Sequence, residues 1–214
     1  MEFLHTVVDF LLHLDVHLNE LIAAYGLWTY GILFAIIFSE TGLVVAPFLP
    51  GDSLLFAAGA ISATGGLDPF WLFMALSAAA IAGNTTNYWI GYLVGPTLQQ
   101  KRTIRWINMA YLEKARRFFE QYGAKTIVFA RFLPIIRTFA PFVAGIASMK
   151  YGRFMTYNIA AGIAWVGLFV WGGYLFGNIP VIKNNFSLVI AAIIVVSTIP
   201  AVVEYVKHRR ERKK

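Results

Sequence analysis

No lysine or arginine occurs before Lys101, although the chain runs through one apolar segment after another. Basic residues then gather at 101–125 and in a tail, 207–214, that reads KHRRERKK. The apolar runs at 21–45, 70–95, 154–177 and 184–206 each match the ~20 residues that cross a bilayer as helix. Soluble domains are roughly a quarter charged. This chain is 14% charged, 58% hydrophobic and has a mean hydropathy of +0.64. Together these features describe an all-α polytopic membrane protein. The net charge of +7 follows the positive-inside pattern rather than a nucleic-acid footprint. Cysteine is absent, which excludes disulfides and thiolate metal sites.

Residues 1–20 have an amphipathic helical pattern without a basic leader or cleavage site, and are read as an interfacial helix. Residues 99–125 form a basic linker with one apolar face. Positive-inside topology puts both this linker and the tail in the cytoplasm. Between them, residues 131–145 read RFLPIIRTFAPFVAG, with two arginines and two prolines inside an apolar segment. If 126–149 crossed the membrane, three crossings would separate the two basic regions and the tail would end outside. A re-entrant hairpin over 126–149 leaves two crossings and satisfies both. Broken backbone at membrane depth is tolerated when it is buried in protein or lines a wet cavity.

The same elements recur in order. Phe48-Leu49-Pro50 matches Phe132-Leu133-Pro134, Ala58-Gly59 matches Ala144-Gly145, and GYLVG at 91–95 matches GYLFG at 173–177. This repeat makes 46–65 a second re-entrant hairpin. One crossing separates it from the linker, so it enters from the opposite side. The expected fold is an inverted repeat with two hairpins, about four transmembrane helices and an amphipathic N-terminal helix, a plan shared with many secondary transporters. It forms a single membrane domain over 1–206, followed by the tail, with the N-terminus inside.

Glu40, Asp52, Arg131 and Arg137 lie in or beside the hairpins. Isolated charges at the bilayer centre cost about 2.5–3.5 kcal/mol each on insertion scales, so these four must be paired, hydrated or both. Arginine's planar fork suits a phosphate or carboxylate, and a desolvated carboxylate can carry a proton. The cluster therefore reads either as an anion site coupled to protons or as an ion-pair clamp. Asn84, Thr86 and Asn87 either line the same cavity or bond between helices. The six tryptophans read mostly as belt or packing residues. The four histidines lie outside the apolar core, and phosphate-loop, nucleophile-elbow and zinc-helix motifs are missing, so no cofactor, metal or enzymatic chemistry is expected.

The stretches FSETGLVVAPFLPGDSLLFAAG from Phe38 and ARFLPIIRTFAPFVAG from Ala130 resemble the DedA family of bacterial inner-membrane proteins, within the VTT (SNARE-associated Golgi protein) superfamily. The likeness extends over nearly the whole chain. It implies two inverted re-entrant hairpins and lipid translocation, of undecaprenyl phosphate or phospholipid, with proton-motive-force dependence in some members. It also implies functional roles for Glu40, Asp52, Arg131 and Arg137. Close members often carry an acid where this chain has Asn84. The leading expectation is a lipid translocase of the inner membrane, with lipid, protons and the bilayer as partners. A proton-coupled small-ion transporter and a non-transporting envelope scaffold are the alternatives.

Overall fold

The protein is described from a computed structural model that places residues 14–43, 51–101, 116–117, 119–131 and 133–196. The first thirteen residues of the amphipathic segment, residues 44–50 with the start of the first expected hairpin, most of the basic linker, Phe132, and residues 197–214 with the tail lie outside the described residues. Every regular element among the described residues is helical. In chain order they include α1 (Leu14–Tyr25), α2 (Trp28–Gly42), α3 (Gly51–Ser62), α4 (Pro69–Lys101), α5 (Thr126–Ala130), α6 (Pro134–Ile146), α7 (Tyr151–Phe176), α8 (Pro180–Asn184) and α9 (Phe186–Val196).

Local chemistry sets the breaks. α1 ends where Gly26 takes a positive φ of 52° and its N–H bonds back to the Ile22 carbonyl. The first helical boundary therefore falls at Gly26, not near residue 20 as hydropathy suggested, because a left-handed glycine ends a helix regardless of the apolar run around it. The Asp68-Pro69 turn starts α4: Asp68 Oδ1 accepts hydrogen bonds from the Phe70 and Trp71 N–H groups, both at 3.0 Å. α4 then continues through Pro96 to Lys101, beyond the expected end of its apolar span at 95. Leu133 is extended (φ −122°, ψ 100°), as a residue before proline prefers, and Pro134 opens α6. The sequence Leu-Pro thus breaks the helix between Arg131 and Arg137.

Two compact units emerge. The first joins the described parts of Met1–Ala35, Pro50–Ala78 and Trp165–Val196, and the second those of Ile36–Leu49, Ala79–Ala164 and Ser197–Lys214. In the first, α1 packs on α3, and Leu55, Leu72, Leu76, Val166, Val170 and Ile190 are fully buried. In the second, Tyr88, Ile127, Ala130, Ile136, Ala140, Ala144 and Phe154 form one apolar cluster, with Tyr88 stacked on Phe154 at 4.5 Å.

Each unit uses the same close packing. In the first, a Cβ on Gly59 would strike the Val170 carbonyl and one on Gly173 would strike the Phe56 carbonyl. In the second, a Cβ on Gly145 would strike the Tyr88 carbonyl and one on Gly91 would strike the Phe142 carbonyl. Val170 stands to Gly173 as Tyr88 stands to Gly91, and Phe56 stands to Gly59 as Phe142 stands to Gly145. Gly177 meets Ala60 and Gly95 meets Ile146 at the next matching step. The sequence repeat is thus also a repeat of contacts, in which small residues let two helix backbones touch.

Length and exposure fit a bilayer. Among the described residues α7 is the helix long and apolar enough to span, and only 33% of its most apolar window is buried, unlike the core helix of a soluble protein. α3 and α6, of 12 and 13 residues, reach about 18–20 Å, short of the ~30 Å hydrocarbon core. Leu27, Trp28, Leu93, Val181 and Leu188 stand exposed, which suits a lipid solvent.

The packing makes a direct prediction. Ala at Gly59, Gly91, Gly145 or Gly173 should each destabilise the protein by about 1–3 kcal/mol through overpacking. Ala at Gly31 or Gly172, where a Cβ meets nothing within 4 Å, should change stability by less than about 0.5 kcal/mol. Thermal unfolding in detergent separates the two groups.

Candidate functional site

The second unit gathers three of the four expected charges. α2 crosses α4 so closely that a Cβ on Gly42 would lie 3.3 Å from the Gly83 backbone, and one on Gly83 would strike Thr41. This crossing carries Glu40 into the unit. Pro134 starts α6 and places Arg137 in its first turn. Arg131 stands just after the last turn of α5. All three are buried, with Glu40, Arg131 and Arg137 exposed by 3%, 2% and 7%.

Arg137 Nη2 donates to Glu40 Oε1 at 2.5 Å, a charge-assisted bond in an apolar setting. Arg131 lies within electrostatic range of both Arg137 and Glu40. The α6 N-terminus adds partial positive charge beside Arg137. Arg131, Arg137 and this helix end form a positive locus, which Glu40 partly neutralises.

Polar residues surround the charges. Asn87 Nδ2 donates to the Thr41 carbonyl at 3.3 Å and to the Thr138 carbonyl at 2.8 Å. It therefore ties together the residues that follow Glu40 and Arg137. Asn84 Nδ2 donates to Asn158 Oδ1 at 3.0 Å, and Arg131 Nη2 donates to the same oxygen at 3.1 Å. Asn84 and Asn87 are thus buried interhelical bonding residues. Thr86 differs: its hydroxyl bonds back to the Ala82 carbonyl of its own helix at 3.0 Å.

Asp52 belongs to the first unit. It sits in the first turn of α3, where the helix dipole favours a carboxylate. Its Oδ1 accepts a hydrogen bond from Trp165 Nε1 at 2.9 Å. Sequence alignment of the hairpins sets Asp52 almost opposite Arg137; within the second unit, Arg137 bonds Glu40. The Gly42–Gly83 crossing, which a pattern of sequence halves does not register, brings Glu40 into that unit. Trp165 is 1% exposed and holds a carboxylate, so it is no belt residue, whereas Trp28, Trp71 and Trp89 stand exposed as belt residues do.

Asn158 and Trp165 were not among the expected site residues. Asn158 carried a readable signal: it is a lone amide within an apolar helix, like the Asn84–Asn87 group. Trp165 carried none, since tryptophan belongs in membrane helices for other reasons.

The VTT domain model matches residues 49–175. The chain is 49% identical to "Protein DedA" of Escherichia coli strain K12 over 212 residues, covering 98% of this chain and 97% of that protein. It belongs to the DedA family of VTT-domain membrane proteins. It is also 40% identical to "Uncharacterized membrane protein Rv0364" of Mycobacterium tuberculosis strain H37Rv, over 86% of this chain and 81% of that protein. It is 36% identical to "Inner membrane protein YghB" of E. coli K12, over 73% of this chain and 71% of that protein. The chain is accordingly a membrane protein. No solved structure matches it.

Glu40→Gln would remove the carboxylate from a buried ion pair, so it should cost about 3–5 kcal/mol. Neutralising both partners, as Glu40→Gln with Arg137→Gln, should cost clearly less than the sum of the single changes. Thermal unfolding of all three variants in detergent measures the coupling.

Proposed function

We propose that this chain is a carrier, not an enzyme, and that it moves a phosphate-bearing lipid between the leaflets of the bacterial inner membrane. The supporting observation is the buried positive locus of Arg131 and Arg137 at a helix N-terminus, with Arg137 bonded to the internal carboxylate of Glu40. Glu40 occupies Arg137 as a substrate anion would. A lipid phosphate competes for the same forked donor, and a proton on Glu40 releases that donor to it. The lipid tail remains in the hydrocarbon phase throughout.

The topology of this carrier is the inverted repeat. α3 and the α5–α6 pair belong to hairpins that enter from opposite sides, α4 and α7 cross, and the basic linker and tail lie in the cytoplasm. The short lengths of α3 and α6 and the Leu-Pro break support this reading. The substrate is undecaprenyl phosphate or a phospholipid.

In liposomes, the purified protein should accelerate transfer of a polyprenyl monophosphate between leaflets. Arg131→Ala and Arg137→Ala should each slow transfer at least ~10-fold, the scale of losing a hydrogen bond to a charged group. Parental rates in both variants would sink the headgroup site. Proton flux with no lipid movement would instead mark a small-ion transporter.

The chain has no cysteine of its own, so topology can be mapped by single-cysteine labelling. Gly65→Cys should label from the periplasmic side and Lys150→Cys from the cytoplasmic side, both positions being exposed. The opposite pattern would overturn the arrangement.

A further inference from the structure

Asn158 lies in the second unit, is 0% exposed, and has both ends of its side-chain amide hydrogen-bonded. Its Nδ2 donates to the Ile81 carbonyl at 3.0 Å and to Thr85 Oγ1 at 3.3 Å. The Thr85 hydroxyl hydrogen is directed to the same Ile81 carbonyl at 2.7 Å, leaving its oxygen free to accept. The amide can therefore face only one way. A flipped amide would set its NH₂ against two donors, Arg131 Nη2 and Asn84 Nδ2, and its oxygen against a carbonyl. α4 thus fixes Asn158, and Asn158 Oδ1 fixes one arm of Arg131.

Gly162 stands one turn further along α7. A Cβ there would lie 3.4 Å from Arg131 Nη2 and 2.9 Å from Ile81 Cγ1. One face of α7 therefore supplies both an acceptor for the guanidinium and the space beside it.

We infer that Asn158 is the positioning residue for Arg131: a neutral acceptor that aims the guanidinium without neutralising it. An aspartate would also aim Arg131, but would supply the counter-charge that an incoming anion must displace. A neutral amide adds no negative charge of its own beside the guanidinium. The inference rests on the proposed headgroup role of Arg131.

The test is the concentration dependence of polyprenyl monophosphate transfer in liposomes of phosphatidylethanolamine and phosphatidylglycerol. Asn158→Asp should raise the half-saturating lipid concentration about 10-fold, the scale of a charge-assisted hydrogen bond. Its maximal rate should stay near the parent's, because affinity is lost rather than movement. Asn158→Ser keeps a hydroxyl in the buried spot but withdraws the oxygen from Arg131. It should shift half-saturation in the same direction, and it carries the test if Asn158→Asp folds poorly. In an Arg131→Ala background, Asn158→Ser should add nothing further.

Two failures are distinguishable. Unchanged transfer in Arg131→Ala would remove the headgroup reading itself. Impaired transfer in Arg131→Ala, with half-saturation at the parental value in both Asn158 variants, would overturn the positioning role alone. An additive effect of Asn158→Ser in the Arg131→Ala background would also overturn it.

Discussion

The second unit depends on one interaction, the buried ion pair between Glu40 and Arg137. Neither charge is tolerable alone in such surroundings, and the pair itself is no clear stability gain because desolvation offsets attraction. The surrounding chain nevertheless holds it in place from several directions. Gly42 and Gly83 bring α2 against α4, Leu133-Pro134 breaks the helix ahead of Arg137, and Asn87 binds the carbonyls that follow each charged residue. Apolar residues of similar size would fill the space at lower desolvation cost. Under the proposed carrier reading, these charges at a helix N-terminus would serve an anion that exchanges with Glu40.

The two units share a frame and differ in what fills it. The glycine contacts put Gly91 in register with Gly173 and Gly145 with Gly59. In that register Asn84 corresponds to Val166, Thr85 to Gly167 and Asn87 to Phe169, so the bonding amides of the second unit have apolar counterparts in the first. Arg137 corresponds to Gly51, beside Asp52. One frame therefore carries Asp52, which accepts a hydrogen bond from Trp165, and the other carries the arginines and their amide network. A duplicated unit that has diverged in this way keeps its fold through backbone contact. Its polar positions can then differ between the two units without altering the shared backbone contacts.

Much of this was legible before any coordinates. The glycines of the repeat, the Leu-Pro break and the four buried-charge candidates all carry local signals: close approach, a missing N–H, and a charge in an apolar run. Pairing between acids and arginines was legible as one option, but the grouping was not: Glu40 belongs to the arginines' own unit and Asp52 to the other. The cause is a helix crossing at two glycines, and nothing in hydropathy distinguishes glycines that meet from glycines that face open space, as Gly31 and Gly172 do. The break at Gly26 was missed for a related reason: a positive φ depends on one residue, while hydropathy averages over many.

Under the carrier reading, the ion pair also determines how protons and lipid would be coupled. With Glu40 ionised, the positive locus is partly neutralised and an entering phosphate meets a carboxylate of its own sign. With Glu40 protonated, Arg137 would lose that carboxylate's charge, and a phosphate would replace it. Proton uptake at Glu40 and anion uptake at Arg137 therefore favour each other, and by linkage the preference is mutual. Arg131 bonds the neutral Asn158 amide, which cannot be titrated, and lies within electrostatic range of Glu40 as well. Of the two arginines, Arg137 would be the one whose hydrogen bond to Glu40 changes directly with protonation, while Arg131 would feel the same change through space.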